Sequence, residues 1–239
     1  MMILLIFCAI VIVVCGFVYA QSEANKQKII NLSLDEIDAM EGHQFEHYTA
    51  AMLQFDGFEQ VQVTQASGDY GVDVVAYKGG HKWAFQCKRY SKNLGLKPIQ
   101  EVYAGAKRYG ADKAVVFTNV YFTPNAQSLA NTLHVELWGR DKLADMIWQR
   151  KQEGEAKKEL KRILQASKSK DMILFVGMPW MHKGKLYNVA AVLNRGRILG
   201  IVPKKHLPNY SEFYELRHFN PGMEKVEMTD WEGVQVPMG

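Results

Sequence analysis

The chain has 239 residues, 48% of them hydrophobic and 23% charged, and carries a formal net charge of +4. That balance is ordinary for a globular protein of one full domain and more, and its mild basicity permits a polyanionic partner without requiring one. Its three cysteines, Cys8, Cys15 and Cys87, lack paired spacing. This excludes a disulfide framework or a cysteine zinc site and favours a reducing compartment.

Met2 to Ala20, MILLIFCAIVIVVCGFVYA, holds no charge. As a helix it would rise about 28 Å, close to the roughly 30 Å of a hydrocarbon core. A cleaved signal peptide ending at Val18-Tyr19-Ala20 competes with an uncleaved anchor. The anchor is preferred, because no Lys or Arg precedes the run and the run is long for a signal core. Lys26 and Lys28 follow it, so the bulk of the chain is expected on the cytoplasmic side of a cell membrane, behind a single pass. Residues 21–31 are a polar linker.

Ser33-Leu34-Asp35-Glu36 is a capping box opening a helix. His43 to Phe55 forms the next, with Phe45, Tyr48, Met52 and Phe55 at helical spacing. Glu46 lies on it. Phe58 to Thr64 alternates as a first strand. Val72 to Tyr77 and Lys82 to Lys88 are two β-rich runs around Gly79-Gly80, a pair suited to a two-residue primed turn. The implied register pairs Lys78 with His81, Tyr77 with Lys82, Val75 with Ala84 and Asp73 with Gln86. Side chains alternate along strands. One face then carries Val72, Val74, Ala76, Trp83, Phe85 and Cys87. The other gathers Asp73, Gln86 and Lys88, with directly paired residues about 5 Å apart.

A basic loop with Arg89, Lys92 and Lys97 follows. Pro98 suits the first turn of a helix running to about Tyr109, with Gln100 near its start. Lys113 to Asn119 reads as a buried central strand. Thr123-Pro124 opens a helix, Val135 to Trp138 is a short strand, and Asp141 caps a helix from Lys142. The order of elements predicts an α/β fold: a mixed sheet, antiparallel at the hairpin, flanked by helices. Residues 151–170 are charge-rich and read as a solvated helix or linker, with phosphate contact as the alternative.

The pattern of Asp73, Gln86-x-Lys88, the preceding SGDYGVD and an upstream helix Glu resembles the PD-(D/E)xK nuclease superfamily. Within it, residues 32–150 resemble the Mrr-type restriction endonuclease domain. GHQFEHYTA, SGDYGVDVVA, WAFQCKRY, VYAGAKRYGADKAVVFTNVYFTPNAQSLA and ELWGRDKL occur in order. The resemblance implies a restriction-endonuclease-like fold and Mg²⁺- or Mn²⁺-dependent hydrolysis of double-stranded DNA, modified DNA included. It implies Asp73 as principal metal ligand. It further implies Glu46, the Gln86 oxygen and the Cys87 carbonyl as candidate ligands, and Lys88 as the catalytic amine. Arg89, Lys92, Lys97 and Gln100 are candidate DNA contacts. Cutting both strands needs two sites, which a homodimer supplies. The rival reading is a non-catalytic nucleic-acid-binding module held at the membrane.

Residues 171–239 change character. MILFVGMP, KLYNVAAVL and RILGIVPKKHLPNYSEFYELRHFNPG resemble part of the glutaminase domain of glutamine-dependent NAD synthetase, in the nitrilase superfamily. Lys204 matches the family lysine, and Glu212 or Glu215 its supporting glutamate. The family's first glutamate and its nucleophilic cysteine have no counterpart. A carbon–nitrogen hydrolase is therefore disfavoured, since the nucleophile needs its partners within reach. A fragment of a larger layered fold is expected to pack poorly or to need a partner.

Overall fold

The computed structural model describes residues 32–64, 70–210 and 213–239. The apolar run at 2–20 lies outside them. Among the described residues no helix is long and apolar enough to cross a membrane.

Two helices come first, one short and one of 14 residues. In α1 (Leu34–Asp38) the capping box forms as expected, with Glu36 Oε2 accepting the Ser33 N–H at 2.8 Å. Helix α2 spans Gly42–Phe55 and buries Phe45, Tyr48, Met52 and Leu53. Then come β1 (Glu59–Val63), β2 (Val74–Lys78), β3 (His81–Lys88), α3 (Lys97–Tyr109), β4 (Lys113–Thr118), α4 (Pro124–Leu133), β5 (Val135–Trp138) and α5 (Arg140–Ser167).

The first sheet runs in the order β1-β2-β3-β4-β5. The first three strands are antiparallel, and β3, β4 and β5 are parallel. The hairpin register is the expected one, with Lys78 opposite His81, Tyr77 opposite Lys82 and Val75 opposite Ala84. Gly79 and Gly80 both take positive φ, 61° and 79°, which a primed turn demands.

Both faces of this sheet are covered. Val74, Ala76, Phe85, Cys87 and Phe117 pack with α2 and the start of α5. Val75, Ala84 and Val116 pack with Ile99 and Val102 of α3 and Ala126 of α4. Val72 belongs to this second cluster, not to the first as alternation suggested. The chain leaves regular strand geometry at Gly71, with φ +77°, so the two-residue period stops at Asp73.

Helix α5 differs most from expectation. It is capped by Gly139, with Asp141 inside the first turn, and continues for 28 residues. Residues 151–167 are therefore helix, one of the two expected readings, but not solvated all round. Leu143, Met146, Arg150, Glu153, Leu160 and Leu164 form one buried stripe along α5. Its first part lies on the first sheet and its last part on a second.

The second sheet contains β6 (Ile173–His182), β7 (Lys185–Asn194), β8 (Arg197–Pro203), β11 (Glu227–Trp231) and β12 (Val234–Met238), in the order β11-β12-β8-β7-β6. Between β8 and β11 lie a two-residue ladder of β9 (Asn209–Tyr210) and β10 (Phe213–Tyr214) and the single turn α6 (Glu215–His218). Trp180, Val189, Ala191, Ile201, Trp231 and Met238 pack against Leu160 and Leu164. This segment thus has its own core on one face. Ile173, Phe175, Val202 and Met228 on the other stay exposed.

Buried charge joins the two halves. Arg150 pairs with Asp56 at the end of α2, at 3.1 Å, and with Glu153 at 3.6 Å. Glu153 accepts the Met181 N–H of β6 at 3.1 Å. Lys78 donates to the Asp56 carbonyl at 2.6 Å. Gly184, with φ +70°, lies so close to that carbonyl that any side chain would overlap it.

Candidate active site

Asp73 and Cys87 meet where the hairpin ends. The Asp73 N–H donates to the Phe85 carbonyl at 2.8 Å, which extends the ladder one residue past β2. Its Oδ2 accepts the Cys87 N–H at 2.6 Å. The aspartate is thus buried yet held by main chain on both sides.

Gln86 lies opposite, buried to within 1% of its surface. The amide orientation that satisfies both ends turns its nitrogen toward the Gly71 carbonyl (3.1 Å), the Pro98 carbonyl (3.2 Å) and Glu101 Oε2 (3.3 Å). Its oxygen then accepts from Lys88 Nζ at 2.7 Å. Lys88 is half-buried, and its own carbonyl accepts from Thr118 Oγ1 at 2.6 Å. Asp73, Gln86 and Lys88 therefore converge, as the alternation of the hairpin predicts.

They line one open cleft of about 630 Å³ together with Tyr70, Gly71, Gln100, Glu101 and Ala104. Helix α3 forms its second wall. Two glycines let the segment 70–72 lie flush on that helix. A Cβ on Gly71 would stand 2.6 Å from Glu101 Cβ, and one on Gly105 would stand 2.6 Å from the Tyr70 carbonyl oxygen.

Cys87 presents no thiol here. Its side chain points into the α2 core, where burial first, and the Asp73 carboxylate second, push the thiol well above its ordinary range. Only its main chain is left for the site. Glu46 is half-buried on α2, on the other side of the sheet from α3, and is not among the residues lining the cleft. It is near enough to act electrostatically on Cys87 alongside Asp73 and Lys88. Of the candidate DNA contacts, Gln100 lines the cleft and Lys97 stands one turn before Glu101, 3.7 Å from its carboxylate. Arg89 and Lys92 sit in the loop after β3, outside the cleft lining.

Glu101 and Tyr70 are the cleft residues that sequence reasoning missed. The signal for Glu101 was helical: positions 97, 100, 101 and 104 share one face of a helix opened by Pro98. For Tyr70 there was only its place in the turn before the hairpin. It adopts φ +53° and is 61% exposed, with Arg108 stacked over its ring at 5.7 Å.

The donor set suits a hard divalent cation. A carboxylate and an amide oxygen face one cleft, and magnesium takes oxygen ligands while keeping several waters. Among the described residues no three His, Cys, Asp or Glu side chains cluster tightly enough to hold an ion by themselves. Any cation here would lean on the amide, main-chain and water oxygens.

In the second sheet, Lys204 and Glu215 do meet, with Nζ 2.9 Å from Oε2. Asn188 approaches the same carboxylate at 3.5 Å. Glu212 lies outside the described residues. Cys87, the sole cysteine among the described residues, is in the other sheet, so this pair has no thiol beside it.

Residues 37–147 match the family model Mrr_cat, described as restriction endonuclease. A glutamine-dependent NAD(+) synthetase of Mycobacterium bovis is 52% identical over 50 residues, 21% of this chain and 7% of the relative. That of Aquifex aeolicus is 42% identical over 72 residues, 30% of this chain and 12% of the relative. The chain thus spans only about a tenth of the length of these curated relatives. Among solved structures, the DNA modification-dependent restriction endonuclease AspBHI aligns with 14% identity and a TM-score of 0.39, over 53% of this chain and 35% of that one. Over residues 37–147 the chain is therefore similar to the Mrr_cat restriction endonuclease family, and over a shorter stretch to a piece of the glutamine-dependent NAD(+) synthetases.

Proposed function

We propose that residues 32–150 are a DNA endonuclease domain that hydrolyses phosphodiester bonds with a bound Mg²⁺ or Mn²⁺. The observation that carries this is the convergence of Asp73, Gln86 and Lys88 in one cleft, within a stretch matching a restriction endonuclease family.

The Asp73 carboxylate, the Gln86 oxygen and the Cys87 carbonyl are the groups offered to the ion, while Glu46, the further ligand that the resemblance implies, would have to reach them from outside the cleft lining. When bound, a divalent ion supplies Lewis acidity at the scissile phosphate and lowers the pKa of water. The remaining steps belong to side chains. Asp73 is fixed by the Cys87 N–H, so its carboxylate needs little reorganisation. Lys88 orients the attacking water and donates to the phosphoryl oxygen on which charge grows. The Gln86 oxygen, 2.7 Å from Nζ, holds that amine over the cleft. Arg89, Lys92, Lys97 and Gln100 contact the phosphates on either side, a sequence-independent grip. Two copies acting together would cut both strands. The run at 2–20 would anchor the domain on the cytoplasmic face of the cell membrane, the reading that its charge-free length supports.

The test is to measure binding and cleavage of the same labelled duplex, with Mg²⁺ or chelator, for the wild type and Asp73→Asn. A nuclease cuts with Mg²⁺ alone, and the variant binds without cutting. Tight binding by both with no cleavage of plain or methylated DNA would mean a non-catalytic binding module instead.

A further inference from the structure

We infer that Glu101, on α3, is a second carboxylate of the metal centre and supplies the negative charge that Gln86 lacks. This rests on the nuclease reading above and assigns one more residue to the same site.

Charge gives the first reason. Of the residues at the heart of the cleft, Asp73 contributes one negative charge, Lys88 one positive charge and Gln86 none. These three side chains alone offer a dication no net attraction. Among the described residues Glu101 is the other carboxylate lining the cleft, and it leaves that set with one net negative charge. At short range and reduced dielectric, such a charge decides whether an ion binds.

Geometry gives the second. Glu101 Oε2 lies 3.3 Å from the Gln86 amide nitrogen, beside the oxygen that faces Lys88. It is the longest of the three contacts of that nitrogen. Gln86 has two N–H donors, and the Gly71 and Pro98 carbonyls are closer, at 3.1 and 3.2 Å. The partner of Glu101 on its own helix is Lys97, at 3.7 Å, whose side chain is 85% exposed. An ion pair so open to water adds little stability. The structural contacts of the carboxylate are thus one long bond from the amide and one open ion pair, which add little stability.

The local backbone gives the third. Gly71 carries no side chain where a Cβ would meet Glu101 Cβ at 2.6 Å. Its absence lets the strand that bears Asp73 close on the helix that bears Glu101. The two carboxylates thus flank Gln86 from two elements, and the acidic function missing from position 86 comes from the neighbouring helix.

The test uses the full chain in detergent and Mn²⁺ as the probe, with binding followed by loss of the free-ion paramagnetic resonance signal. Wild type, Glu101→Gln, Gln86→Glu and the double variant are compared, with circular dichroism and melting in chelator as folding controls. Glu101→Gln should weaken Mn²⁺ binding roughly 10- to 100-fold with an unchanged melt. Adding Gln86→Glu should recover most of that loss, because the second carboxylate returns at the neighbouring position. Unchanged Mn²⁺ affinity in Glu101→Gln, beside a wild type that binds Mn²⁺ and cuts DNA, overturns the inference alone. A loss that Gln86→Glu does not recover overturns it too, since Glu101 would then act by shaping the helix. A wild type that neither binds Mn²⁺ nor cuts DNA removes the nuclease reading and this inference with it.

Discussion

Asp73 accepts a 2.6 Å hydrogen bond from the main-chain N–H of Cys87, across the end of the hairpin. One oxygen of the carboxylate closes the strand pair, and the same residue lines the cleft. Asp73→Ala therefore removes two things, and Asp73→Asn only one. The alanine variant should lose stability by about 1.5–3 kcal/mol, the range for a hydrogen bond to a charged group. The asparagine variant keeps an acceptor oxygen and should melt close to wild type. Both should lose cleavage. Denaturant melts beside plasmid assays separate the two effects.

Gly105 faces the Tyr70 carbonyl so closely that a methyl group would stand 2.6 Å from the oxygen. Gly105→Ala must push segment 70–72 away from α3, and Asp73 with it. Cleavage should fall even though residue 105 touches no substrate, because misplacement by about 1 Å can cost on the order of 100-fold. Full activity in a folded Gly105→Ala protein would show that the spacing of this wall is not needed.

Arg150 and Asp56 form a buried pair at 3.1 Å in the joint between the two sheets. Removing one partner of such a pair costs about 3–5 kcal/mol, because the other charge stays buried. Arg150→Ala should lower the melting temperature accordingly. Hydrogen exchange should quicken at both Asp56 and Met181, which are linked through Arg150 and Glu153. Exchange changes confined to one half would mean the joint is not a shared element.

Glu227 is held down to about 2 by hydrogen bonds from Lys183 and His182, which favour its charged form. A carboxyl whose folded value is depressed stabilises the fold above its unfolded value, near 4.5. That contribution is lost as pH falls toward 2. Glu227→Gln should therefore melt earlier than wild type at neutral pH. The difference should shrink between about pH 4.5 and 2, read from thermal melts across that range.

The hairpin was legible because two glycines fix its turn, and the turn fixes which residues face each other. Asp73, Gln86 and Lys88 followed from that register alone. Val72 was misplaced because alternation says nothing about where a strand stops. Glu101 was hidden for a different reason: its neighbours come from Gly71 and Pro98, and only the tertiary approach of α3 to the hairpin joins them. The buried stripe of α5 was masked by the lysines and glutamates between its apolar positions. Leu160 and Leu164 are buried only because a second sheet lies against them. The fragmentary look of residues 171–239 suggested poor packing. The length of α5 supplies the missing layer on one face and leaves the other bare.

The most direct measurement is cleavage of supercoiled plasmid, unmodified and methylated, by the wild type and by Lys88→Ala, each with Mg²⁺ and with chelator. The account predicts Mg²⁺-dependent nicking or linearisation by the wild type, reduced roughly 10²- to 10⁴-fold in the variant, as for loss of a positioned proton-handling group. Equal cleavage by Lys88→Ala, or cleavage by the wild type that survives chelation, would contradict it.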